Sequence, residues 1–155
     1  MKQLKREFIV ESWDANELPV VDQELLRAAH AAALKAYAPY SNFQVGAAIR
    51  MASGKIITGS NQENMAYPSG MCAERTAFFF AGSQHPDEPI ETAAVVTNRS
   101  MSSADFSPCG GCRQVMLESE SRNGAPIRFL MQPGDGEVLV SHNLSQFLPL
   151  TFRLP

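Results

Sequence analysis

The sequence predicts an α/β fold, a three-layer α-β-α arrangement with a mixed five-stranded sheet and helices on both faces. Two observations predict it. Helical and strand-like apolar periods alternate along the chain in the order α-β-β-α-β-α-β-β. The strand segments are short, apolar and partly β-branched, as in the buried Ala93-Ala94-Val95-Val96 run. With 155 residues, of which 45% are hydrophobic and 19% charged, the chain is one ordinary domain with a core of its own. That balance excludes a disordered tail, a fibrous repeat and a coiled coil.

Residues 1–20 show no clear period and form an N-terminal extension of unknown role, an added strand or a docking arm. A single domain is expected over 21–155. Asp22 opens a helix with an acidic first turn (Asp22, Glu24) and apolar Leu25, Leu26, Ala29, Ala33 and Leu34 at three- and four-residue steps. Ala38-Pro39 ends that pattern, because proline and its predecessor resist the helix. Segments 45–51 and 55–60 read as a hairpin turned at Ser53-Gly54. A loop rich in glycine and asparagine covers 61–70. The second helix is expected over 72–81, breaking at Gly82, with a surface turn at 85–89 and a buried strand at 92–97. The third helix, over 110–121, stops at Asn123-Gly124. Strands at 127–131 and 138–140 flank the turn 133–136, and the tail 144–154 is apolar enough to dock.

Thirteen basic residues against sixteen acidic ones give a net charge of −3. A phosphate-backbone binder usually carries a basic excess, so no nucleic-acid partner is expected. No apolar run approaches the ~20 residues that cross a membrane, so no membrane partner is expected either. Phe8-Ile9-Val10 is too short for a signal-peptide core, which makes the expected location cytoplasmic.

The cysteines carry the chemistry. Three is an odd number, poorly suited to a disulfide framework. Cys72-Ala73-Glu74 and Pro108-Cys109-Gly110-Gly111-Cys112 both lie where a loop becomes a helix. Helix N-termini favour thiolate over thiol. Cys109 and Cys112, about one turn apart, are half of a tetrahedral zinc site, and Cys72 can supply a third ligand. One corner stays open, as in a catalytic rather than a structural site. His30, His85 and His142 are candidates to close it, but none has a spacing that ties it to the cysteines. Glu74 can reach the same space and move a proton there, since zinc brings the pKa of a bound water to about 7. Three thiolates outweigh the charge of one zinc ion. Arg75 can offset part of the excess by donating hydrogen bonds to a thiolate.

This set resembles the cytidine deaminase superfamily, in particular the small homotetrameric members that act on free nucleosides. The likeness extends to Pro39-Tyr40-Ser41-Asn42-Phe43-Gln44-Val45-Gly46-Ala47-Ala48, to Gly59-Ser60-Asn61-Gln62-Glu63-Asn64, to the segments around Cys72 and Cys109, and to Leu148-Pro149-Leu150-Thr151-Phe152. It covers about residues 21–153. The resemblance implies one Zn²⁺ per subunit on Cys72, Cys109 and Cys112, with Glu74 as the catalytic acid and base. It implies hydrolytic deamination of cytidine and 2′-deoxycytidine with release of ammonia, in pyrimidine salvage. By the same resemblance Phe43 stacks on the pyrimidine, Asn61 and Glu63 hold the ribose 3′-hydroxyl, and Tyr67 approaches the sugar's 5′ end. The Ala73 N–H holds the 2-oxo group, the Ser107 carbonyl faces the leaving amine, and Phe152 closes a neighbouring subunit's site. A homotetramer with shared active sites follows. The rival readings are a deaminase of another cytosine-bearing small molecule such as blasticidin S, an editor of RNA or DNA, and an inactive zinc-stabilised binding protein. Asn61 and Glu63 argue for a ribose, the acidic balance argues against an editor, and Glu74 argues against the inactive form.

Overall fold

The regular elements are β1 (Glu11–Trp13), α1 (Val20–Ala33), β2 (Val45–Met51), β3 (Ile56–Ser60), α2 (Ala73–Gln84), β4 (Ile90–Thr97), α3 (Gly110–Asn123), β5 (Arg128–Pro133) and β6 (Val138–Ser141), in a computed structural model describing residues 1–153. The strands form one mixed sheet in the order β1-β6-β5-β4-β2-β3. β4 and β5 are parallel and joined through α3; the other pairs are antiparallel.

Two apolar cores explain the three layers. On one face α1 packs Leu25, Leu26, Ala29 and Ala33 against Ala48, Ala94, Val96 and Leu130. On the other, Ala77 and Phe78 of α2 and Met116 of α3 meet Ala47, Ile49, Val95 and Phe129. Alternate residues of β2, β4 and β5 thus serve opposite cores, the period of two that a doubly covered sheet requires. Gly46 and Gly59 let the helices lie close. A Cβ at Gly46 would stand 2.0 Å from the Ala29 carbonyl oxygen, and one at Gly59 2.6 Å from that of Ala73.

The sheet has six strands, not the expected five. The sixth is β1, from the N-terminal extension, where Glu11, Ser12 and Trp13 pair with Val140, Leu139 and Val138. Of the two options for residues 1–20, the added strand is present. The first helix begins at Val20, before Asp22, and Leu34 is exposed rather than part of the buried stripe. Gly82 does not break α2, which runs on to Gln84. Its missing side chain leaves room for the Arg122 guanidinium, 3.3 Å from where a Cβ would be. α3 ends as expected, with Gly124 left-handed at φ 68°. In the tail, Leu144 and Phe147 are buried whereas Leu150 and Phe152 are exposed. Leu154 lies outside the described residues. No described helix is long and apolar enough to cross a membrane.

Candidate active site and metal centre

Cys72 is the N-cap of α2 and Cys109 that of α3, both with extended backbone. Cys112 is one turn into α3 and fully buried. The two helix starts face each other, and the three Sγ atoms lie within 4.8 Å of one another. A tetrahedral zinc ion with Zn–S near 2.3 Å needs sulfurs about 3.8 Å apart, so the donor set fits one ion with modest closure. Cys72 is held well below the ordinary thiol range, chiefly by a hydrogen bond from Cys112, which is pushed up by the same contact. The Arg75 Nη2 donates to Cys72 Sγ at 3.8 Å. Its Nε is buried without a hydrogen-bond partner.

Among the described residues no histidine joins this group. His30 meets Asn98 and Gln132, His85 meets Lys55 and Glu88, and His142 meets Glu11. The three cysteines are the group among the described residues that could hold a metal ion.

A cavity of about 480 Å³ opens at the sulfurs, lined by Phe43, Asn61, Glu63, Glu74 and Ser107 among others. Glu74, second residue of α2, is 7% exposed. Burial raises its carboxyl above the usual range, and the neighbouring Cys72 adds to this. Ala73, the first helical residue, also lines the cavity. Its N–H is one of the first-turn amides that an α-helix leaves without an internal acceptor.

Asn61 and Glu63 also line this cavity. Asn61 Oδ1 accepts from the Val45 N–H at 2.8 Å, and its Nδ2 donates to the Phe43 carbonyl at 2.9 Å. One lone pair and one N–H of the amide stay available to a ligand. Glu63 accepts from the Tyr40 N–H at 2.9 Å, the Ser41 N–H at 3.3 Å and the Ser41 hydroxyl. The hydroxyl, then the Tyr40 amide, holds this carboxyl below the usual range. Phe43 is half-buried, with the Arg99 guanidinium 6.0 Å from its ring centroid.

Tyr67 is 79% exposed and lines an adjoining cavity of about 430 Å³ with Arg75 and Cys72. Phe152 is exposed and lines neither of these two cavities; its carbonyl accepts from Gln114 Nε2 at 3.1 Å. Two organising residues escaped the sequence reading. Ser41 positions Glu63. Arg113 holds the Pro108 carbonyl at 2.7 Å through Nε and the Ser107 hydroxyl at 2.7 Å through Nη2. The only signal for Arg113 was its place directly after the Cys-x-x-Cys segment.

Comparison with known proteins agrees with this geometry. The family model described as the cytidine and deoxycytidylate deaminase zinc-binding region matches residues 19–124. A cytidine deaminase of Halalkalibacterium halodurans is 45% identical over 96 residues, 62% of this chain and 70% of that protein. One from Mycobacterium tuberculosis is 35% identical over 143 residues, 88% of this chain and 94% of that protein. The crystal structure of a cytidine deaminase from Burkholderia pseudomallei superposes with a TM-score of 0.73 at 39% identity, covering 84% of this chain and 98% of the other.

Proposed function

The chain belongs to the cytidine and deoxycytidylate deaminase zinc-binding family, and from that membership and the site geometry we propose that it hydrolyses cytidine and 2′-deoxycytidine to uridine and 2′-deoxyuridine with release of ammonia. The observation that carries this reading is the cluster of three sulfurs within 4.8 Å, with buried Glu74 on the same nucleoside-sized cavity. Cys72, Cys109 and Cys112 would hold one zinc ion. When bound, it supplies Lewis acidity and makes a nucleophile from water available near neutral pH.

The chain's own residues do the rest. Glu74 takes one proton from the attacking water and passes it to ring N3, then takes the remaining proton of the new C4 hydroxyl and delivers it to the amine, which leaves as ammonia. Its raised carboxyl suits a group that must both accept and release a proton. Phe43 supplies an apolar face for the pyrimidine. In this reading the Ala73 N–H holds the 2-oxo group and the Ser107 carbonyl accepts from the leaving amine. The free amide groups of Asn61 and the carboxylate of Glu63 hold the ribose 3′-hydroxyl. Tyr67 meets the sugar's 5′ end. Arg75 drains charge from the Cys72 thiolate through its hydrogen bond.

Phe152 is exposed in its own chain and is assigned to a neighbouring subunit's site, within a homotetramer. Three free thiols stay reduced in the cytoplasm, where the chain is proposed to work.

One assay tests the reading. The ultraviolet absorbance of cytidine, deoxycytidine and blasticidin S is followed with purified protein, with and without a zinc chelator. Chelator-sensitive turnover of the two nucleosides is expected. Turnover of blasticidin S alone, or of none of the three by zinc-loaded protein, would sink it.

A further inference from the structure

The family match begins at residue 19, yet the residues before it are built into the back of the site. We propose that residues 8–13 are a strap that positions the cavity wall at 101–109, and that Glu137 and Phe147 are the positioning residues through which it acts. This inference rests on the deaminase reading for its catalytic consequence only.

Two lines of contact run from the strap to the wall. The first is polar. Ser12, in β1, donates from its hydroxyl to one oxygen of Glu137, and the Ser103 hydroxyl donates to the other. Both hydroxyls hold the Glu137 carboxyl below the usual range. Ser103 opens a short 3₁₀ turn, Ser103–Asp105, directly before Phe106 and Ser107, which line the cavity. One carboxylate therefore clamps the N-terminal strand to the start of the wall.

The second line is aromatic. The Phe8 ring meets Phe147 edge-on at 5.1 Å, and the Ile9 N–H donates to Gln146 Oε1 at 3.0 Å. Phe147 faces the Arg113 guanidinium at 5.9 Å and accepts from its Nη1 through the backbone carbonyl at 3.3 Å. Arg113 in turn grips Pro108 and Ser107. The first line thus ends at Ser103, before Phe106, and the second after it, on the Ser107-Pro108 pair that precedes Cys109.

Behind that wall lies an apolar cavity of about 480 Å³, bordered by Phe8, Phe106, Leu139 and Phe147. A wall backed by such an open cleft has fewer packed neighbours on that side than one set in the close-packed core. Its position then depends on the tethers that span the gap. Displacement by about 1 Å can lower a rate on the order of a hundredfold. Loosening two of several tethers should give a smaller effect.

The test uses full-length zinc-loaded protein and the double variant F8A/S12A. Zinc per chain and kcat and KM for cytidine are measured, with hydrogen exchange of the amides at 101–109. Zinc should be unchanged, kcat should fall roughly three- to tenfold with KM moving less, and exchange should accelerate at 101–109 while α1 keeps its protection. Phe8→Leu, which keeps apolar contact with Phe147, should retain kcat near the starting value. If the double variant does not fold, Ser12→Ala alone and Phe8→Ala alone are judged by the same exchange readout. Unchanged kcat and exchange in folded, loaded protein would overturn the strap. So would acceleration spread evenly over the sheet, which marks lost stability rather than lost positioning. Parent protein without nucleoside turnover would defeat the deaminase reading, while exchange at 101–109 would still decide the strap.

Discussion

Glu74 is under opposing influences. The N-terminus of α2 favours its carboxylate, but burial, followed by the charge of Cys72, favours the protonated form. Glu74→Gln keeps the size and removes the proton traffic. It should leave zinc content intact and lower kcat by about 10²- to 10⁴-fold, read by metal analysis beside steady-state kinetics. Glu63 is the contrasting carboxylate, half-buried and held below its usual range by the Ser41 hydroxyl and the Tyr40 amide. A depressed value means that its contacts to the 40–41 turn are complete above pH 4.5, the ordinary value, and are lost as pH falls through the lowered one. KM for cytidine should therefore stay flat from neutral pH down to about 5 as far as Glu63 is concerned. Glu63→Gln should raise KM about ten- to a hundredfold at pH 7 with kcat changing less, measured as full saturation curves. A fall in kcat at unchanged KM would instead place Glu63 at the reacting end.

At the scale of elements, the position of α2 decides whether Cys72 and Glu74 share a cavity with Cys109. Gly59 of β3 sets that position, since a Cβ there would stand 2.6 Å from the Ala73 carbonyl oxygen and 2.7 Å from the Ala77 amide nitrogen. Both are helix backbone, so the helix itself must lift. Gly59→Ala should destabilise by about 1–3 kcal/mol in thermal unfolding and weaken zinc retention in a chelator competition, because the shift falls on the turn that carries Cys72. The helices and most strands were legible because each buries an apolar face with its own period, and the thiol cluster was legible from Cys-x-x-Cys spacing at a helix start. β1 was not legible. It is three residues long, lacks alternation, and owes its form to pairing with β6, far along the chain. The continuation of α2 past Gly82 was equally hidden, because the space that glycine leaves is taken by Arg122 of a different helix. Ser41 and Arg113 act on a carboxylate, on main-chain carbonyls and on a hydroxyl brought together by folding, which residue spacing does not encode.

For the whole molecule, the informative feature is the aromatic surface that a single chain leaves uncovered. α2 turns Ala73, Ala77, Phe78 and Ala81 to the core, but Phe79 and Phe80 remain 51% and 53% exposed on its outer side. Tyr67 and Phe152 are exposed as well, and Tyr67 lies beside the site whereas Phe152 lines neither cavity of the site. Adjacent exposed aromatics are expensive to leave in water and mark surfaces that bury against a partner. Since α2 also carries Cys72 and Glu74 in its first turn, a partner seated on its outer face would couple assembly to the site. Sedimentation should give a particle of four chain masses. The double variant F79S/F80S should shift to smaller species that still bind one zinc per chain, because the thiols belong to a single chain. Its kcat/KM should fall with dissociation and recover as protein concentration is raised, the signature of a site completed across a boundary. A fully active monomer would show instead that one chain holds every group the reaction needs, and Phe152 would then lose its assigned place in a neighbour's site.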